Sequence, residues 1–379
     1  MGHVFLNQFR MVEPRNRISQ GDLLDWIIRC HQLAAAQGSE FSVETADRIE
    51  KLFQRYGVKS AQISERYLEC DDVQSTDFAL NKIYKIDEQH ADGVSITERT
   101  TFFSERAYEV FLKMYELEKN TARPDHLIHV TCTGYISPSA AQRIVTEPQW
   151  NHSTDITHAY HMGCYAAMPA VRLAKSLVNS EGQHFTTDIV HTEMCGLHMN
   201  PLAQTPEQMV VQTLFADGHI KYTATGGNQH VGRSLKVIAM HEKVVPGSQQ
   251  DMSWVPAPWG MQMNLSREVP EKIKQQLKIF SDELFKKAKI ETADALKSIF
   301  AIHPGGPKII DAVQSVLELS DNQVSESKKI LFERGNMSSA TLPHVWSEII
   351  ERGYPIGTRI VSYAFGPGLT LFGSVFEVS

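Results

Sequence analysis

The sequence has no long apolar run. Nothing in it approaches the roughly 18 consecutive apolar residues of a membrane-spanning helix, and Met1 to Gln20 lacks the continuous apolar core of a signal peptide. Gly2 follows Met1, but Leu6 occupies the place where a myristoylation signal needs Ser or Thr. A cytoplasmic protein is expected. Basic charge is also in short supply: 37 Lys and Arg against 44 Asp and Glu leave a net charge of −7. That argues against nucleic acid as the main partner, because binding phosphates needs a basic face. Cysteine is sparse. Cys30, Cys70, Cys132, Cys164 and Cys195 are odd in number, widely spaced and form no CxxC pair, so free thiols rather than a disulfide framework are expected. The 16 histidines include His152, His158, His161 and His198, yet no spacing matches a compact Cys/His ligand pattern and no metal is expected. Gly226-Gly227 and Gly305-Gly306 lack the Lys-Ser/Thr pair that completes a phosphate loop.

What is present suits a large globular core: 379 residues, 42% hydrophobic and 21% charged. The first 120 residues read as mainly helical, with amphipathic patterns over 22–33, 45–56 and 104–117. Residues 71–94 read as a polar, irregular excursion. From Asp125 strands alternate with helices. Strand-like runs cover 127–132, 188–195, 219–225, 235–240, 299–302, 360–364 and 369–378. Helical patterns cover 140–146, 164–179, 206–215, 269–293, 307–319, 322–334 and 340–351. The segment from Cys164 to Asn179 is apolar nearly all round and rich in alanine, as a buried helix is. Strands and buried helices recur twice, which predicts an α/β protein of two similar halves, 1–232 and 233–379.

Three residues sit on glycine-marked turns beside helices. Cys164 lies in Gly163-Cys164-Tyr165-Ala166-Ala167, His303 in His303-Pro304-Gly305-Gly306-Pro307, and Asn336 in Gly335-Asn336-Met337-Ser338-Ser339. Alone, Cys164 reads as a small buried hydrophobe. With a histidine to take its proton it becomes a nucleophile able to carry an acyl group, and a helix N-terminus would favour the thiolate. His303 and Asn336 both donate hydrogen bonds. Two donors aimed at one thioester carbonyl stabilise an oxyanion, or the enolate left when malonate loses CO2. That enolate carbon can attack the acyl group on Cys164, and no metal or organic cofactor is required.

These motifs, with Phe365-Gly366-Pro367-Gly368-Leu369-Thr370 and Leu214-Phe215-Ala216-Asp217-Gly218, resemble those of type III polyketide synthases, the chalcone-synthase-like branch of the thiolase superfamily. The resemblance runs from about Leu127 to the C-terminus and is weaker over the N-terminal helices. It implies a five-layered αβαβα fold, a homodimer, and thioester substrates carried by coenzyme A or an acyl carrier protein. It places Phe215 and Met263 at the gate between tunnel and cavity. Trp254 stands where chalcone synthases have a glycine, and Cys132, Cys195, His198 and Ser338 fall on or near the cavity wall. It also implies phosphate or carrier contacts for Lys59, Arg66 and Lys308.

Several positions depart from the family pattern. Met263 replaces a phenylalanine, Ser137 replaces the methionine that reaches into the partner's cavity, and residues 193–201 are one shorter than the plant pattern. A tryptophan at 254 would fill volume and shorten the product. The trio implies a decarboxylative condensing acyltransferase that makes a short polyketide or β-keto product. A ketosynthase III-type enzyme, making one condensation or joining two acyl chains, shares the trio. An acyl-thioester hydrolase would use the same cysteine without a malonyl donor, and a catalytically idle partner subunit would not need the trio intact.

Overall fold

The computed structural model describes residues 2–37, 42–117, 119, 122–227 and 232–379. Up to residue 227 the described elements are β1 (Val4–Val12), β2 (Asn16–Ser19), α1 (Gln20–Ala36), α2 (Val43–Tyr56), β3 (Glu65–Leu68), α3 (Ile96–Tyr115), β4 (His126–Thr131), α4 (Ala140–Val145), β5 (Asp155–Tyr160), α5 (Ala167–Glu181), β6 (Thr186–Met194), α6 (Pro206–Leu214) and β7 (Asp217–Gly226). From residue 232 they are β8 (Leu235–Val244), β9 (Met252–Ala257), β10 (Gly260–Leu265), α7 (Val269–Ala288), α8 (Thr292–Ala295), β11 (Ile299–Ile302), α9 (Pro307–Leu317), α10 (Ser325–Arg334), α11 (Thr341–Arg352), β12 (Arg359–Gly366) and β13 (Thr370–Val378). The expected seam at 232 adjoins residues 228–231, which lie outside the described residues.

The main sheet runs β11-β12-β13-β8-β1-β7-β6-β4-β5. Its strand directions repeat. β4 lies parallel to β6, β6 antiparallel to β7, and β7 antiparallel to β1. Likewise β11 lies parallel to β12, β12 antiparallel to β13, and β13 antiparallel to β8. The two series meet where Phe5 and Leu6 of β1 pair with Lys236 and Leu235 of β8. β5 adds an edge strand beside β4.

Helices fill three layers around these strands. Ala167, Ala170, Val171, Ala174 and Val178 line the buried face of α5, and Leu342, Val345, Trp346 and Ile349 that of α11; both faces join one core with strands of both series. Small side chains on α5 let the helix approach both neighbours closely, and burial on this scale is the main favourable term in folding. A second core packs α1–α4 on the outer face of β4 and β6, and a third packs α7 and α9 on the outer face of β11–β13. The result is αβαβα layering. Because α5 and α11 hold equivalent places, the turns at their N-termini face each other, and Cys164 and Asn336 precede those two helices.

The reading of residues 1–120 as mainly helical needs correction, because β1, β2 and β3 lie within it. β1 is central and buried on both faces over Val4–Asn7, so it lacks the alternation of a half-exposed strand. Its register then shifts between Asn7 and Arg10, where Gln8 has φ +53°. The β5 edge strand and the β9–β10 hairpin were not expected either. Among the described residues, no helix is long and apolar enough to cross a membrane.

Candidate active site

The nucleophile turn depends on residues from both strand series. Gly163 has φ +80°, and a Cβ there would collide with Pro367 in the turn joining β12 and β13. The Gly163 amide donates to Cys132 Sγ at 3.0 Å. Cys164 follows, buried, with its Sγ 3.8 Å from Ser338 Oγ. α5 begins only at Ala167. Burial pushes the Cys164 thiol up to about 12, against the opposing hydrogen bonds of Ser338 and Asn336. Burial thus opposes the thiolate that a helix N-terminus would favour.

His303 ends β11, and its amide donates to Tyr363 O at 2.7 Å. The imidazole is buried and neither ring nitrogen has a protein partner. Burial drives it down to about 3, so it rests neutral and able to accept a proton. Asn336 is tied by its backbone to the Phe215 segment: its N–H donates to Leu214 O at 3.0 Å and its carbonyl accepts from Ala216 N at 2.8 Å. Asn336 Oδ1 accepts from Ser338 N at 2.9 Å and Thr341 Oγ1 at 3.3 Å. Those two bonds fix the amide orientation and leave Nδ2 to donate toward Cys164, the side-chain bond that opposes the rise of its thiol.

Cys164, His303 and Asn336 line one cavity of about 420 Å³, with Phe215 and Met263 in its wall. Deeper in, a chamber of about 20 Å³ is bounded by Cys132, Cys164, Cys195, Trp254 and Ser338, with Phe215 and Met263 again at its edge. Trp254 and Met263 face each other across the β9–β10 hairpin, and Trp254 Nε1 donates to Cys132 O at 2.6 Å. A third space, of about 50 Å³, is lined by Cys195, His198, Phe215 and Trp254. Both nitrogens of His198 are occupied, Nε2 by Thr133 O at 2.8 Å and Nδ1 by Met261 N at 3.1 Å. It is a fixed wall.

The expected mouth residues need correction. Lys308 stands exposed on the lip of the large cavity. Lys59 does not line it; its Nζ donates to the carbonyls of Phe53 and Gln54 and so neutralises the C-terminus of α2. Arg66 is buried and points inward, with Nε bonded to Gln20 Oε1 at 2.8 Å and Nη1 to the carbonyls of Gln212 and Phe215, each at 2.9 Å. The cations the sequence reading missed are Arg55 and Arg267. Both line the cavity, and both lie over the Tyr56 ring, at 5.2 and 5.9 Å from its centroid. Among the described residues, neither these two nor Lys308 has an ion-pair partner. Glu193 was also missed. It is buried beneath the chamber, accepting from Cys132 N at 3.0 Å, Thr133 Oγ1 at 2.8 Å and Ser339 Oγ, and burial raises its pKa. A carboxylate inside the strand-like run 188–195, between Thr192 and Met194, was its signal. Among the described residues, no group of three or more His, Cys, Asp or Glu is placed to hold a metal ion.

Residues 236–378 match the family of chalcone and stilbene synthases, C-terminal domain. "Probable polyketide synthase 1" of Dictyostelium discoideum is 26% identical over 368 residues, 95% of this chain. The chain is thus similar to type III polyketide synthases. It spans only 11% of that Dictyostelium relative's length. "Putative chalcone synthase" of Bacillus subtilis is 27% identical over 247 residues, 64% of this chain and 67% of that protein. The fold agrees: the C-terminal type III polyketide synthase domain of Steely1, a type I/III hybrid from Dictyostelium, superposes with a TM-score of 0.81 at 25% identity over 99% of both chains. PKS-I of the brown alga Ectocarpus siliculosus gives 0.84 at 21% identity, over 100% of this chain and 98% of that one. The thiolase-like fold is thus the one this homologue adopts.

One consequence for the trio is measurable. With His303→Gln the Cys164 proton has no acceptor, so alkylation by iodoacetamide at neutral pH is expected to slow about 100-fold. The variant's rate should keep climbing through the alkaline range, because a thiol raised to about 12 stays protonated below that. Equal rates in the two proteins would remove His303 from the role of proton acceptor.

Proposed function

We propose that the protein is a decarboxylating condensing acyltransferase acting on acyl and malonyl thioesters. The observation that carries this reading is the convergence of Cys164, His303 and Asn336 on one cavity with Arg55, Arg267 and Lys308 around it. His303 takes the proton from Cys164 as the sulfur attacks the acyl thioester carbonyl. The carrier thiol leaves with that proton, and the acyl group remains on Cys164. The malonyl thioester carbonyl then accepts hydrogen bonds from His303 and Asn336 Nδ2. Loss of CO2 gives the enolate, whose carbon attacks the acyl group and expels the Cys164 thiolate. The unpaired cations at the mouth suit the phosphates of coenzyme A or the acidic face of a carrier protein. No further cofactor enters this sequence.

We read residues 1–232 and 233–379 as two thiolase-like halves carrying the cysteine and the His–Asn pair. A homodimer is supported by the half-exposed β5, an edge strand whose backbone is open to a second copy. The site is read as cytoplasmic. The chamber of about 20 Å³, room for about one water molecule where roughly 10–15 Å³ holds one, favours few extensions. It also favours the ketosynthase III-type alternative of a single condensation.

The test is a panel of acyl and malonyl thioesters on coenzyme A and on carrier protein, read by product mass and by the mass of Cys164-containing peptides. The absence of any adduct from every donor would sink the reading, and free acid released without a malonyl donor would favour a hydrolase. Trp254→Ala is expected to lengthen the product by at least one two-carbon unit, because it removes the chamber's largest wall. Its stability cost should stay below about 5 kcal/mol, the upper end for deleting a core tryptophan. An unchanged product mass would show that Trp254 does not set the length.

A further inference from the structure

Arg66 is a buried cation without an anion. Its Nε and Nη1 are spent on Gln20 Oε1 and on the carbonyls of Gln212 and Phe215. Gln20 is itself fixed by bonds from its Nε2 to Val58 O and Thr213 O, each at 2.8 Å, so the guanidinium plane is held from behind. Its Nη2 is buried with no hydrogen-bond partner, and Arg66 is 2% exposed. Among the described residues no carboxylate forms an ion pair with it. Asp217, whose charge acts on Arg66 through space, has its two oxygens taken by the amides of Gly196 and Glu69 and is pushed up to about 8 by burial, so it is mostly protonated at neutral pH. Burying a charge without a counter-charge is unfavourable, and a guanidinium N–H makes a strong, charge-assisted hydrogen bond to a carboxylate.

The space Arg66 lines is mostly apolar, bounded by Leu23, Trp26, Leu68 and Val73 with His198 and Gln212 also in its wall, and has a volume of about 50 Å³. That is room for a group of carboxylate size, where roughly 10–15 Å³ holds one water molecule. Three side chains, Cys195, Phe215 and Trp254, wall both this space and the chamber containing Cys164. A rotamer change at Phe215 or Trp254 therefore joins the two. A chain of a few carbons growing inward from Cys164 would end at the guanidinium.

We propose that Arg66 and the cavity it lines form a subsite for the far carboxylate of an acyl group on Cys164, so that the starter is the monothioester of a dicarboxylic acid. This rests on the reading of Cys164 as the acyl carrier. The loading step itself is the ordinary exchange. The Cys164 sulfur bonds to the thioester carbonyl carbon, the bond from that carbon to the coenzyme A sulfur breaks, and the proton passes through His303 to the departing thiol. The distal carboxylate stays ionised and accepts a hydrogen bond from Nη2. A methyl-ended chain of the same length would leave Nη2 buried and unpaired.

The experiment compares Cys164 acylation by succinyl-, glutaryl- and adipyl-coenzyme A with that by butyryl-, valeryl- and hexanoyl-coenzyme A, read by intact-protein mass. A charge-assisted hydrogen bond in a buried site predicts that, at one chain length or more, the carboxylate-ended donor acylates at least about tenfold faster than its methyl-ended twin. Arg66→Met should erase that preference. Should Arg66→Met fail to fold, Val73→Phe, which fills the cavity from its opposite wall and keeps the arginine, should erase it too. A methyl-ended donor that is as fast at every length, or a preference that survives in a folded Arg66→Met protein, overturns the proposal. On the same preparation, glutarate should raise the unfolding temperature of the parent more than valerate does, and not in Val73→Phe. If no donor of either series acylates Cys164, the condensing-enzyme reading fails, and the glutarate measurement still decides whether Arg66 binds a carboxylate.

Discussion

Replacing Cys164 by alanine is expected to abolish the acyl adduct and to lower condensation by at least about 10⁴-fold, the scale on which loss of a catalytic nucleophile is felt. Malonyl thioester decarboxylation should persist, because the groups that hold the malonyl carbonyl, His303 and Asn336, are untouched. The separation of the two partial reactions is the informative part. A buried thiol held only by Ser338 Oγ at 3.8 Å and the Asn336 side chain can be truncated with a stability loss of about 1 kcal/mol, so the variant should fold and bind substrate. Intact-protein mass after incubation with acyl thioester reads the first reaction, and CO2 release from malonyl thioester reads the second. Unchanged condensation in this variant would place the nucleophile elsewhere or make the chain an idle partner. Loss of thioester hydrolysis, in a protein that never consumed malonyl donor, would identify a hydrolase.

The trio was legible because each member sits in a short segment whose chemistry is local: a cysteine after a glycine turn, a histidine before a proline-started helix, an asparagine after a helix stop. The buried helix after Cys164 and most strands beyond residue 125 were legible from apolar runs. What failed did so for physical reasons. β1 is buried on both faces and then bulged, so neither alternation nor helical period marks it. β5 is a polar edge strand, and its apolar content is too low to announce a strand. Lys59 and Arg66 were placed at the mouth by resemblance to the family's basic segment. In β3 the burial alternates, with Arg66 and Leu68 inward and Glu65 and Tyr67 outward. Period-two alternation from Leu68 would have put Arg66 inside. Arg55 and Arg267 come from separate elements that meet at Tyr56 only in the folded chain, so no linear pattern joins them. The helix start beside the thiol was visible, but the depth of burial that opposes a thiolate there was not.

Asn336 offers the sharpest test of the enolate site, because its two ends do different work. Oδ1 accepts from Ser338 N and Thr341 Oγ1, while Nδ2 is left for the carbonyl that becomes an oxyanion. Asn336→Asp keeps the acceptor and loses the donor; Asn336→Ala loses both. Loss of one donor to a developing oxyanion is expected to lower malonyl decarboxylation and condensation by about 10²–10³-fold, some 3–4 kcal/mol, in both variants. Acylation of Cys164 should fall far less, since His303 still accepts the thiol proton. Stability should divide the variants. Alanine leaves the Ser338 amide buried without its acceptor, at about 1–3 kcal/mol, whereas aspartate does not. The measurement is CO2 release beside adduct formation and a melting curve for each protein. If aspartate restored decarboxylation to the parent rate, Asn336 would act by holding the Ser338 turn, and the enolate would have to be stabilised by His303 and the backbone alone.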